Sequence, residues 1–159
     1  MNIEYRSTAP DRDQIRDLFA TTGWNRTFKA SPEELIRAVA NSQFVIAAYE
    51  DEKLVGFGRV VTDGVLHAMI YDMIVHPLFQ GQGIGAQILN GLVKICREAR
   101  IRDIQLFSAI GKRVFYEKNG FEARPVEGPG MQFKPGTNRK LGLQMESFEQ
   151  QDPGHKVQQ

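Results

Sequence analysis

Residues 74 to 86 read Ile-Val-His-Pro-Leu-Phe-Gln-Gly-Gln-Gly-Ile-Gly-Ala. An apolar run ends at Val75, Pro77 breaks it, glycines stand at 81, 83 and 85, and an amphipathic helix begins at once. This order of strand, glycine-rich loop and helix constrains the chain more than any other stretch. The first N–H groups of a helix have no acceptor within it, and the helix dipole adds positive potential where they emerge. Glycines let another group approach that backbone closely, because a Cβ would stand in the way. Such a place suits a phosphate-bearing ligand.

Three kinds of phosphate site share a glycine-rich turn. A P-loop requires Gly-Lys followed by Ser or Thr, and the one Gly-Lys pair, Gly111-Lys112, is followed by Arg113. The dinucleotide fingerprint G-x-G-x-x-G/A is formally met by Gly81, Gly83 and Ala86, with Asp103 near the acidic position. Against it stand the long loop after Val75, residues Pro77 and Gln80 that have no role in such a turn, and too little chain after the helix for a doubly wound sheet. An NAD(P)-dependent oxidoreductase stays as an alternative.

The third kind fits residue by residue. Gln80-Gly81-Gln82-Gly83-Ile84-Gly85 resembles Q/R-x-x-G-x-G/A, the pyrophosphate signature of the GNAT superfamily of N-acetyltransferases. The Val-x-Pro before it looks like that family too, and Tyr116-Glu117-Lys118-Asn119-Gly120-Phe121 resembles its second signature. The resemblance spans roughly residues 3 to 134. It implies an α/β (α+β) fold, a mixed and mostly antiparallel sheet of six or seven strands flanked by about four helices. It implies acetyl-CoA as cosubstrate, with the pyrophosphate on the N–H groups of Gly81, Gln82, Gly83, Ile84, Gly85 and Ala86 after Gln80. It places the pantetheine arm along Met73, Ile74 and Val75, where a backbone N–H polarises the thioester. It makes Tyr116 the candidate general acid, against the plainer reading of Phe115 and Tyr116 as core aromatics.

The rest of the chain bounds this expectation. Its 159 residues suit one domain, placed at 1–148, with 149–159 a polar, frayed tail. Lys+Arg (20) nearly balance Asp+Glu (19), which gives no reason to expect nucleic acid or an anionic membrane as partner. A single cysteine and an N-terminus without an apolar signal core point to the cytoplasm. The resemblance is compatible with a homodimer.

Along the chain, Asn2–Arg6 suits a first strand, and a helix from Asp11 to about Ala20 carries Ile15, Leu18 and Phe19 on one face. Residues 21–28 have turn character. Ser31-Pro32-Glu33-Glu34 is a capping box opening a second helix, which ends near Asn41. Strands at 43–49, 54–62 and 65–75 form a meander turned at 50–53 and at Asp63-Gly64. A helix over 83–100 carries the stripe Ile84, Ile88, Leu92 and Ile95, with Leu89 and Cys96 beside it. A strand over 103–107 then pairs parallel with the third of the meander. A short helix over 112–118 closes on Asn119-Gly120. Further strands are expected from Phe121, around Met131-Gln132-Phe133 and over 141–148.

Asp72 is a lone carboxylate in an apolar run. A charge there needs a partner, a cleft or water. It is a candidate general base acting through water, or else a structural hydrogen bond at a bulge. Tyr71 and His67 on the same strand rank lower. Cys96 on the helix stripe suits a small core residue better than a nucleophile. The three histidines and Cys96 lack ligand spacing, so no metal is expected. Trp24, with Asn25 and Phe28, and on the other side Met131 and Phe133, are the candidate walls for an amine acceptor, a small molecule favoured over a protein. The second function class kept open is a binding module that senses acyl-CoA without turnover.

Overall fold

A computed structural model describes residues 2–132. In chain order the elements are β1 (Ile3–Arg6), α1 (Arg12–Ala20), α2 (Asn25–Phe28), α3 (Pro32–Ala40), β2 (Phe44–Glu50), β3 (Lys53–Thr62) and β4 (His67–Val75). A 3-10 turn at Pro77–Phe79 leads to α4 (Ile84–Glu98), β5 (Asp103–Leu106) and α5 (Arg113–Lys118). The sheet has the order β1-β2-β3-β4-β5, antiparallel throughout except for the parallel pair β4–β5.

Local chemistry accounts for the helix starts. The Asp11 carboxylate accepts the N–H groups of Asp13 and Gln14 at 2.9 and 3.0 Å. The Ser31 hydroxyl accepts the N–H of Glu34 at 3.2 Å while the Glu34 carboxylate accepts the N–H of Ser31 at 2.8 Å. Both arrangements satisfy N–H groups the helix itself leaves free.

The sheet is buried on both faces. On one face Ile46, Ala48, Val55, Val60, Ala68 and Ile70 meet Ile84, Ile88, Leu89, Leu92 and Cys96 of α4. On the other, Val45, Ala47, Tyr49, Leu54, Phe57 and Ile74 meet Ile15, Leu18 and Phe19 of α1 and Val39 of α3. Successive residues of β2 alternate between the two clusters, which is why its sequence is an unbroken apolar run. Gly58 lets α4 sit close: a Cβ there would stand 2.7 Å from Met73 Sδ and 2.9 Å from Ile88 Cγ2.

Four sequence expectations are corrected. Among the described residues the sheet has five strands, not six or seven. No strand begins at Phe121, and Met131 and Gln132 lie in none; Phe133 and 141–148 fall outside the described residues. Pro125 and Pro129 lack a ladder donor, and Gly128 and Gly130 have no side chain to pack. β4 starts at His67 rather than Val65. The N–H groups of Val65, Leu66 and His67 are drawn onto the Asp63 carboxylate at 2.8, 2.8 and 3.1 Å, which bends the chain before the ladder begins. Finally, part of the expected turn at 21–28 is the short helix α2, closed by Lys29 with φ 53°.

Candidate active site

The loop after β4 forms a cradle of backbone donors. Gly81 and Gly83 have φ of 78° and 82°, a region open to glycine and costly for other residues. A Cβ on either would meet nothing within 4 Å, so the space above them is free. Gly83 is the N-cap of α4 and supplies no capping side chain. Among the described residues, no acceptor receives the N–H of residues 81 to 86, apart from hydrogen bonds inside α4 that begin further on. Six such donors at the head of a 15-residue helix, with the dipole behind them, are able to receive an anion. Gln80 braces the loop, its Nε2 donating to the carbonyl of Val75 at 3.0 Å.

Beside this loop the sheet opens. β4 and β5 pair from His67–Asp103 to Ile70–Leu106 and no further, while β4 continues to Val75. Among the described residues, the last residues of β4 therefore have a strand partner, β3, on one side only. His76 donates its N–H to the carbonyl of Val55 at 2.8 Å, so by the alternation of an antiparallel ladder Ile74 also faces β3 and Val75 turns its N–H to the open edge. Ile74 is buried, and Met73 and Val75 pack toward α4.

α5 brings the second motif to the same place. Phe115 Cζ lies 3.5 Å from where a Cβ on Gly85 would be, so α5 rests on the first turn of α4. Tyr116 is buried in the α4-side core, edge-on to Phe115 and Phe121 at ring separations of 5.0 and 6.2 Å. Its hydroxyl has no protein partner among the described residues, yet it is not among the sealed, unsatisfied atoms either. Burial pushes the Tyr116 phenol above its ordinary value. A phenol with a packed ring and a reachable oxygen, protonated at neutral pH, can give a proton to a group placed beside it.

Asp72 lies at a bulge. Upstream of it Tyr71 faces Arg59; downstream Ile74 faces Phe57, so β4 carries one residue more than β3 here. Asp72 takes that extra place with φ 53°. Its carboxylate is ion-paired with Nε of Arg59, both side chains being largely buried. The ion pair and the bulge show the structural one of the two roles expected for Asp72. Arg59 was missed in the sequence, although it left a signal: it is the single charge between Leu54 and Thr62, as Asp72 is between Met69 and Val75.

Residues 40–123 match the family model for the acetyltransferase (GNAT) domain. The chain belongs to the GNAT acetyltransferase family. Among its GNAT relatives is the uncharacterized N-acetyltransferase ycf52 of Pyropia yezoensis, 32% identical over 126 residues, which cover 77% of this chain and 71% of that one. Another is the chloroplastic serotonin N-acetyltransferase 2 of Oryza sativa subsp. japonica, 31% identical over 135 residues, 82% of this chain and 66% of that one. Two solved structures share the fold. A probable acetyltransferase of meticillin-resistant Staphylococcus aureus aligns with TM-score 0.74 at 23% identity, covering 84% of this chain and 99% of that one. The PaiA N-acetyltransferase of Thermoplasma acidophilum, in complex with coenzyme A, aligns with TM-score 0.61 at 22% identity over 78% and 92% of the two chains. The protein is thus an acetyltransferase with the GNAT fold.

In this GNAT domain the remaining candidates lie on different elements. Cys96 is fully buried on α4, and burial raises its thiol above the ordinary value. It is a core residue. Trp24 and Phe28 lie at and in α2, Phe28 with 76% of its surface exposed. Asn25 does not face outward: its amide clasps Ala30, donating to the carbonyl at 2.9 Å and accepting the N–H at 2.8 Å. Met131 is exposed, next to Gly130, whose added Cβ would touch the Phe107 ring just past β5. Phe133 lies outside the described residues.

Proposed function

We propose that this protein transfers the acetyl group of acetyl-CoA to a primary amine of a small molecule, by direct attack of the amine on the thioester. The observation that carries this reading is that the unaccepted N–H groups at the head of α4 follow directly on the part of β4 that outruns β5, with α5, which carries Tyr116, against the first turn of α4. The open space over Gly81 and Gly83 fits a pyrophosphate, and residues 81 to 86 would hold it. The bound thioester supplies an activated acyl group.

The chain's own groups do the rest. The edge of β4 beyond Ile70 receives an extended arm as a further strand would be received, and the Val75 N–H donates toward the thioester oxygen. Tyr116, protonated at neutral pH, donates its proton to the departing sulfur as the C–S bond breaks; the proton shed by the nitrogen as the amide forms passes to solvent water, from which Tyr116 regains its own. The buried Cys96 thiol supports direct attack over a covalent acyl-enzyme. The Asp72 carboxylate is already engaged by Arg59, so the amine attacks as its free base rather than through Asp72.

The test is thiol release from acetyl-CoA against a panel of arylalkylamines (serotonin among them), polyamines, amino sugars, amino acids and short peptides, comparing wild type with Tyr116→Phe. Turnover with one class that collapses in the variant supports the reading. Acetyl-CoA binding without turnover on any amine replaces it with an acyl-CoA sensor, and NAD(P) binding without CoA binding removes it.

A further inference from the structure

We propose that Arg59 is a positioning residue for acyl transfer: through Asp72 it holds the bulge in β4, and the bulge decides which backbone N–H faces the open edge of the sheet. This role rests on the reading above, in which the Val75 N–H is used.

The parity of β4 shows what the bulge does. Before it, Asp63 donates its N–H to the carbonyl of His67, so His67, Met69 and Tyr71 turn their backbone groups to β3. After it, His76 donates to Val55, and Ile74 and His76 are the ones that face β3. One inserted residue has exchanged odd for even. Without the insertion Val75 would pair with β3 and bury the very N–H that the open edge presents, because a strand has a period of two. The side chains exchange as well: Ala68 and Ile70 pack toward α4, but Ile74 packs toward α1 and α3.

The inserted residue is an aspartate in a left-handed conformation that glycine takes freely and other residues resist. What holds it there is one guanidinium on the facing strand. Arg59 Nε binds the Asp72 carboxylate. Its Nη1 donates to the Ala38 carbonyl at 3.4 Å and the Ser42 hydroxyl at 3.3 Å, at the C-terminal end of α3. Its Cζ sits 5.3 Å from the centre of the Tyr71 ring. The bulge is thereby tied to a helix as well as to β3. The cradle at 81–86 is built by other residues and does not depend on this pair.

Amide hydrogen exchange on the free protein tests this without any acceptor. In wild type Ile74 and His76 are protected and Val75 is not. Arg59→Gln loses that contrast and Arg59→Lys keeps it in part. The deciding variant is Arg59→Gln with Asp72→Gly, in which glycine supplies the left-handed backbone and no buried charge is left unpaired. The double variant regains the contrast. Once an acceptor is known, Arg59→Gln lowers kcat about 100-fold, the scale of an ångström's misplacement, with KM for acetyl-CoA unchanged, and the double variant recovers most of the loss. Wild-type exchange and rate in Arg59→Gln, or a double variant as impaired as Arg59→Gln alone, overturns the proposal; the latter result returns Asp72 to the role of base. If wild type binds no acetyl-CoA, the functional reading fails while the exchange pattern still reports on Arg59.

Discussion

Tyr116 and Cys96 are both buried on the α4 side of the sheet, and burial raises both pKa values, yet their prospects are opposite. A raised pKa keeps the phenol protonated at neutral pH, at some cost to its drive to donate, and leaves less of the thiol as the nucleophilic thiolate. Tyr116→Phe keeps the ring packing, so it is expected to lower kcat at least about 100-fold while leaving acetyl-CoA binding intact, as calorimetry would register. The rate of wild type should rise with pH as the amine loses its proton, with no break in the carboxylate range. It should fall only above about pH 10, beyond the ordinary tyrosine value, as Tyr116 ionises. A break near pH 4 to 6 would bring a carboxylate back into the mechanism. Cys96→Ser should cost about 1–3 kcal/mol of stability, because a buried hydroxyl wants a partner, and leave kcat unchanged.

Between elements, contact is set by glycines that act for different reasons. Gly81 and Gly83 provide a backbone conformation and an open space; Gly58 provides proximity between α4 and the sheet. Gly83→Ala should therefore raise the Kd for coenzyme A about tenfold, through loss of about one charge-assisted contact, and destabilise the fold only modestly. Gly58→Ala should do the reverse. Its Cβ would press on Met73 and Ile88, at a cost of about 1–3 kcal/mol in urea unfolding, with coenzyme A binding preserved in the folded fraction. The loop, the capping box at Ser31 and the stripe on α4 were legible because each is written in consecutive or helically spaced residues. The bulge was not, since it exists only when β3 lies beside β4.

For the molecule as a whole, pH should bound stability on both sides. The arginine-bound carboxylates Glu4 and Glu52, the helix-start Glu33, and Asp63 and Asp103 with their amide donors all titrate below their ordinary values. A depressed folded pKa gives stability that is present above the unfolded value of about 4 and is lost as pH falls through the folded one. Tyr5, Tyr49 and Tyr116 are raised by burial, so their contribution is complete below about pH 10 and is lost as pH climbs through the folded values. A Tm that is flat between about pH 5 and 9 and declines outside that range is expected from calorimetry. A Tm that rises on acidification would contradict these assignments.

Sequence alone determined what is local or periodic. Apolar runs set between turn residues specified the meander, a helical stripe specified α4, and a glycine run between a strand and a helix specified a loop with free backbone donors. Among the described residues it overcounted strands near Pro125 and Pro129, where proline removes ladder donors. It also named Asp72 without its partner. Only the tertiary structure decided that Arg59, thirteen residues earlier, closes on Asp72, that β4 outruns β5 after Ile70, and that α5 leans on the first turn of α4. Those are facts about which strands and helices become neighbours. They follow from burying two faces of one sheet at once, a condition that no single segment of the chain expresses.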